Sequence, residues 1–424
     1  MATTASAATQ GDVLIPPPTR KAPPRVVATM ALAQVGLFFA LLTPVLASLA
    51  IKVQSLVGPD DAVAALGTVS SAGAVAAFLA NPVFGRISDR TTGRFGRRRP
   101  WLVTGSLGLT VCLAVIGLAG NLFVIAAAWF VAQALANAAL AALMATVADQ
   151  VPSVQRGKVS GLLGVMQQVG MLGSAYAAQF LGAHLLLLFL VPGLVGFALT
   201  TLFAIVLPDR RLPRRPPSEG LRTALKTFWV SPRKHPDFAW AWVSRFMIIL
   251  ASFLFTTYRL LYMQHELALS LADATAVMAT GVLLYTIMVA LTGQAAGWLS
   301  DKLRRRKVFV AASTLLFGVG LILLLQAETI GAFYVGEVVL GAGYGIYMGV
   351  DLALVIDVLP NPDDSAKDLG VLNIANAGPQ ALAPAVGAAL IGIGGGNNYS
   401  LLLGVAAAVC VVGAVAVLPI KSVR

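Results

Sequence analysis

Gly85-Arg86-Ile87-Ser88-Asp89-Arg90 and Gly297-Trp298-Leu299-Ser300-Asp301-Lys302 are two copies of one pattern, G-x-x-S-D-[RK]. Each closes an apolar stretch and runs into a basic cluster, and the copies lie 212 residues apart (297 − 85). A second pair follows. Asp149-Gln150-Val151-Pro152 matches Asp357-Val358-Leu359-Pro360 at an offset of 208 (357 − 149). After each, a glycine opens the next apolar stretch, Gly161 and Gly370. Two features repeated at nearly equal offsets indicate a chain built from two duplicated halves.

The stretches between these motifs are membrane material. The 424 residues are 58% hydrophobic and 11% charged, with mean hydropathy +0.83. Soluble globular chains carry about 25% charged residues. A helix needs roughly 20 apolar residues to cross about 30 Å of hydrocarbon. Stretches of that kind predict twelve spans, at 26–50, 61–83, 101–119, 122–147, 159–181, 184–207, 238–263, 271–296, 308–326, 330–356, 369–393 and 399–419. The fold class is therefore an all-α membrane protein of two six-helix halves. The 41 glycines suit close packing between membrane helices.

Lysine and arginine set the orientation. Of the 30, 27 fall in the N-terminal tail, in alternate loops or at the C-terminus. Lys52 alone lies in a loop of the other set, and Arg245 and Arg259 lie within a span. Both termini are thus predicted cytoplasmic, in the plasma (inner) membrane, and an odd number of spans would break the pattern. The longest polar break, 208–237, contains Pro213, Pro216 and Pro217. It divides the chain into a tail (1–25), an N-terminal bundle (26–207), a linker (208–237) and a C-terminal bundle (238–424). The tail is polar and Pro-rich, reads as disordered and carries no signal-peptide pattern. Within the linker Leu221, Leu225 and Trp229 recur every four residues, a stripe suited to a short helix on the inner membrane surface.

The net charge is +12, from 30 basic and 18 acidic residues. Its confinement to alternate loops is explained by topology, so no nucleic-acid partner is implied. Cys112 and Cys410 sit in apolar stretches and read as small core residues. His184, His235 and His265 lie at span ends or in loops with no H-E-x-x-H spacing, so neither a metal site nor an enzyme is expected. No cofactor is implied, and nothing demands more than a monomer.

Gly85 to Trp101, GRISDRTTGRFGRRRPW, resembles the signature loop of the major facilitator superfamily. More narrowly, SDR-T-x-x-FGRRRP, with Asp149, Pro152, Arg156, Gly157, Ser160 and Gly161, resembles the glycoside–pentoside–hexuronide cation symporters and sucrose-type carriers. The likeness implies alternating access and a cytoplasmic gate. It places Gly85, Asp89, Arg90, Arg97, Arg98, Asp149 and Arg156, with Gly297, Asp301, Lys302 and Asp357, at that gate. It implies that Asp89 faces the start of span 11, near Asp368 to Gly370, and that Asp301 faces the start of span 5, near Gly157. A carboxylate there would meet the unpaired N–H groups of a helix N-terminus. Gly85 and Gly297 would let the helix ends pack closely.

Four ionisable residues fall inside the predicted C-terminal spans: Arg245, Arg259, Glu337 and Asp351. Charge within a membrane is expensive, which makes each a functional candidate. Each pair is 14 residues apart on its helix, so both members lie near one face, about 21 Å apart. The spans run in opposite directions, which sets Arg245 level with Asp351 and Arg259 level with Glu337. Fixed ion pairs would make these residues tolerable. Alternatively, a carboxylate that loses its arginine in a low-dielectric site takes up a proton, which would couple a solute to a proton gradient. Spans 2 and 4 hold no mid-membrane acid, which favours protons over sodium.

Uncharged polar residues complete the candidate cavity: Gln34, Gln133, Asn137, Gln168, Tyr258, Tyr262, Asn373, Asn376 and Gln380. Amides both donate and accept, as sugar hydroxyls require, although interhelical bonding uses the same groups. The expected function is import or export of a small solute, a sugar or glycoside in the first reading. The rival is a proton-coupled drug or metabolite exporter of the same fold.

Overall fold

The structure is a computed structural model and describes residues 18–212, 231–358, 365–395 and 397–422. The linker stripe at Leu221, Leu225 and Trp229 and most of the N-terminal tail lie outside the described residues. So do the side chains of Asp368, Gly370 and Asn373.

The described chain is helical throughout its length, apart from short connections. Helix α1 (Pro24–Thr43) continues through a π-helical turn (Pro44–Ser48) into α2 (Leu49–Asp89), which breaks at Gly58, φ 83° and ψ 172°. Then come α3 (Arg99–Leu118), α4 (Leu122–Gln150), α5 (Ser153–Leu181) and α6 (Leu185–Val206). The second half holds α7 (Pro236–Glu266), α8 (Leu271–Leu303), α9 (Arg306–Leu325), α10 (Ile330–Asp357), α11 (Ser365–Gly392) and α12 (Tyr399–Val417). Local chemistry sets several starts. The side chains of Asn121, Ser270 and Asn398 accept from Val124 N, Asp273 N and Leu401 N, capping α4, α8 and α12. Pro24 and Pro236 sit in the first turns of α1 and α7, where no N–H is needed.

Ten of the described helical stretches are long and apolar enough to cross a membrane. The first, Pro24–Asp89, is 66 residues long. The sequence reading differs here in two places. It divides this run into two spans, whereas α1 and α2 join end to end and turn at Gly58 and Pro59. It also predicts a span at 159–181, whereas α5 is not among the ten, because Gln167, Gln168 and Gln179 dilute its apolar residues.

The duplication is visible in the packing. Helix α1 packs on α5 and α6, α2 on α4, and α3 on α4 and α6. Six helices later α7 packs on α11 and α12, α8 on α10, and α9 on α10 and α12. The halves meet through α2 with α11 and through α5 with α8.

That meeting is one-sided. One core joins residues of both halves, from Val53, Leu66 and Trp129 to Tyr258, Val277 and Tyr399. Toward the basic loops it divides in two. One core, around Val26, Leu143 and Phe203, belongs to the N-terminal half. The other, around Phe238, Tyr347 and Leu354, belongs to the C-terminal half. At the basic end, no atom of the described residues lies within 4 Å of a Cβ built on Gly85, Gly157, Gly161 or Gly164. At the opposite end the helices touch. A Cβ on Gly67 of α2 would lie 2.5 Å from Ala388 Cβ and 2.9 Å from Tyr258 Oη. Among the described residues the halves therefore touch at one end and stand apart at the basic end.

Gly67→Leu is expected to disfavour this sealed arrangement by about 1–3 kcal/mol, the usual cost of overpacking. That is roughly a 5–150-fold change in population. Gly85→Ala, which adds a Cβ into open space, is expected to leave it alone. Cysteine cross-linking across the α2–α11 contact checks both.

Candidate functional site

At the basic end each half carries an arginine held by two aspartates. Arg98, at the start of α3, donates from Nη2 to Asp89 Oδ1 (2.6 Å), from Nε to Asp149 Oδ2 (2.8 Å) and from Nη1 to Ser88 Oγ (2.8 Å). Arg97 Nη2 takes the other Asp149 oxygen at 2.5 Å. Burial works against the charge on Arg98, but Asp149 and Asp89 outweigh it and hold its proton more firmly than in water. In the second half Arg306 donates from Nη2 to Asp301 Oδ1 (3.0 Å) and from Nη1 to Asp357 Oδ2 (2.6 Å). Arg306 lies 208 residues after Arg98 (306 − 98), the same offset as the aspartates of α4 and α10.

The supports repeat as well. Arg99 Nη2 donates to Leu207 O at the end of α6, and Lys307 Nζ donates to Leu418 O and Ile420 O at the end of α12. Both are basic groups on helix C-terminal carbonyls. Asp209, just past α6, accepts at Oδ2 from Arg98 N (2.7 Å) and Arg99 N (2.9 Å), which caps α3. Gly96 makes room for it: φ is 99°, and a Cβ there would lie 2.3 Å from Asp209 Oδ2. Asp209, Gly96, Ser88 and Arg306 are absent from the sequence candidates. The spacing of Arg306 after Asp301 offered a signal; Asp209 offered only its place after a span.

Two expectations at this end meet a different geometry. Asp301 pairs with Arg306, while Gly157 has open space beside it, because the basic ends of the halves stand apart. Asp89 pairs with Arg98 of its own half, and the start of α11 that it is expected to face, Asp368 to Gly370, lies outside the described side chains. Gly85 has no packing partner among the described residues, whereas a Cβ on Gly297 would just touch Gly349 O at 3.4 Å, within its own half. Lys302 lies over the Trp298 ring, 4.9 Å from its centroid. Arg156 donates to Val151 O and Ala148 O, closing the α4–α5 turn.

Deeper in the second half sit two further ion pairs. Arg245 of α7 donates from Nη1 to Asp351 Oδ2 of α10 at 2.7 Å, and from Nε to Asn376 Oδ1 of α11 at 2.8 Å. Asp351 is 4% exposed. One helix face further along, Arg259 Nη2 donates to both oxygens of Glu337. Glu337 is fully buried and Arg259 is 3% exposed. The Phe255 ring lies 5.0 Å from the guanidinium carbon. Arg259 Nε and Nη1 are buried without an acceptor among the described residues.

The two pairs differ in access. Arg259 is followed by Tyr262 and preceded by Phe255 and Tyr258, all in the core that joins the halves. Arg245 lies between that core and the open end, beside Ile248 and Ile249 of the separate C-terminal core.

The uncharged candidates separate. Tyr258 Oη donates to Pro384 O and Tyr262 Oη to Leu324 O, so both hydroxyls hold helices together. Asn137 Nδ2 donates to Gln133 O on its own helix. Gln34 Oε1 and Gln168 Nε2 are buried without a described partner. Gln380 is exposed. A cavity of about 570 Å³ opens between α7 and α11 at the basic end, lined among others by Phe238, Trp240, Trp242, Val371 and Ile374. Among the described residues no cluster of three or more His, Cys, Asp or Glu side chains could hold a metal ion.

A duplicated helical bundle with paired ionisable groups in its interior suits a membrane transporter. The Major Facilitator Superfamily model matches residues 26–295 and 262–423, and the chain belongs to that family. Among solved structures it is similar to the nucleoside transporter NupG, at TM-score 0.73 and 14% identity, covering 93% of this chain and 99% of that one. It is also similar to the D-xylose-proton symporter, at TM-score 0.69 and 14% identity, covering 93% and 97%. A curated relative, the "Putative multidrug resistance protein MdtD" of Pectobacterium atrosepticum, is 29% identical over 126 residues. That match covers 30% of this chain and only 27% of the relative.

Proposed function

We propose that this chain is a secondary active transporter that moves a small neutral solute, a sugar or glycoside, together with a proton. It works as a monomer with both ends in the cytoplasm of the plasma (inner) membrane. Twelve crossings follow if Pro24–Asp89 counts as two and α5 as one. A 66-residue helix would be about 99 Å long, three times the hydrocarbon thickness, so the break at Gly58 is the turn between two crossings. The basic end is then cytoplasmic by the positive-inside rule, and the structure is open inward.

The observation that carries the proton reading is the Arg245–Asp351 pair. It joins two helices of one half near the open end, buried enough that separation from Arg245 favours protonation of the carboxylate. Glu337 is a second candidate carrier, behind the seal. Protons are preferred to sodium because the acids within the first six spans lie at helix ends. The amides Gln34, Gln133, Asn137, Gln168, Asn373, Asn376 and Gln380 suit hydroxyls, and the basic loops suit the glycoside carriers. We further propose that when the basic end closes, Asp89 and Asp301 reach the N-termini of α11 and α5.

The curated relative favours a second reading, proton-coupled export of drug-like or metabolic solutes. Counterflow in proteoliposomes separates them. Exchange of disaccharides or glycosides is the expected result. Exchange of lipophilic cations, with none for any sugar, gives the protein to the exporter reading.

A further inference from the structure

Asn376 is a cavity candidate by sequence, yet the structure occupies its side-chain oxygen with Arg245 Nε. One planar guanidinium is thus shared between a carboxylate on α10 and an amide on α11. Its donors have a fixed geometry, so both bonds together hold α11 in one place relative to α10.

Helix α11 has two ends with different tasks. Asn376 lies toward the open end, and eight residues later, about 12 Å along the helix, comes Pro384. There Pro384 O accepts from Tyr258 Oη, and Pro384, Gly387 and Ala388 crowd Tyr258 and Gly67 in the seal. Pro379 and Pro384 interrupt the stretch between. Neither has an N–H, so each removes one rung of the helical ladder, which makes the segment a place to bend.

We propose that Asn376 is a positioning residue that carries the state of the Arg245–Asp351 bond into α11, and through α11 into the seal against α2. The inference rests on the proton-coupled reading. While Asp351 is ionised, Arg245 is held by α10 and α11 together. Once Asp351 is protonated, its hold on the guanidinium weakens, and Arg245 and α11 move free of α10. The titratable groups facing Asp351 are Arg245 of α7 and Tyr344 and Tyr347 of its own helix. Tyr285 of α8 lies behind Tyr344, and Arg306 of α9 is held by Asp301 and Asp357. From α11 the group in contact is the uncharged Asn376.

The test places spin labels at Asp61 and Ile393, at the sealed ends of α2 and α11, with Cys112 and Cys410 replaced. The full chain in nanodiscs is followed from pH 5 to pH 9. One titrating proton changes the ratio of sealed to open populations by at most about tenfold per pH unit. We expect such a change in the parent and none in Asp351→Asn. Asn376→Ala should lose the pH response, because α11 no longer reads the guanidinium. If Asn376→Ala responds as the parent does, Asn376 is an ordinary interhelical contact and the proposal falls, with the proton reading intact. If the parent itself is flat, the proton reading falls and takes the proposal with it.

Discussion

Asp351→Asn is expected to abolish proton-driven accumulation while leaving solute exchange in place. A pH difference of one unit is worth about 1.4 kcal/mol per proton, or tenfold in concentration at one proton per solute. The variant should therefore fall from about tenfold accumulation per pH unit to simple equilibration. The substitution keeps shape, so the asparagine oxygen still accepts from Arg245 and the helices stay packed. What it removes is the group that can trade a guanidinium for a proton. Initial rates of counterflow, measured beside accumulation, separate this from misfolding. Normal accumulation by Asp351→Asn would exclude Asp351 as the carrier.

The Glu337 pair should respond in a different currency. Glu337→Ala leaves the Arg259 charge buried at 3% exposure, with Nε and Nη1 already lacking acceptors among the described residues. Breaking a buried pair from one side costs about 3–5 kcal/mol. Replacing both residues by methionine removes the stranded charge, and such exchanges are often neutral or stabilising by about 1–4 kcal/mol. Thermal unfolding in detergent should show a large loss for Glu337→Ala and recovery in the double variant. If the recovered double variant also transports, the pair is a tolerated structural bond. If it is stable but no longer accumulates solute, the pair belongs to the cycle. A Glu337→Ala protein as stable as the parent would contradict the burial described here.

The repeat motifs make the two-half plan legible in the sequence. Offsets of 212 and 208 separate polar motifs of the same pattern in each half. The structure adds the reason for the difference. Arg98 follows Asp89 by nine residues and Arg306 follows Asp301 by five, and each still reaches back to its aspartate. The pairing of the interior charges is equally legible, since 14 residues on each of two opposed helices set Arg245 beside Asp351 and Arg259 beside Glu337. Partners for polar residues were not. Tyr258 and Asn376 have the composition of sugar ligands, but one is bonded to Pro384 O and the other to Arg245. Nothing in a linear pattern tells a hydroxyl facing a cavity from one facing a neighbour's carbonyl. Asp209 was missed because it acts through two backbone amides 110 or more residues away.

Proton movement in proteoliposomes tests the central claim most directly. A pH dye is trapped inside vesicles that hold the purified protein, and disaccharides and glycosides are added outside, with and without sodium. The account predicts acidification of the interior that depends on the sugar, persists without sodium and is lost in Asp351→Asn. Sugar uptake with no proton movement, or movement only in sodium, would contradict it.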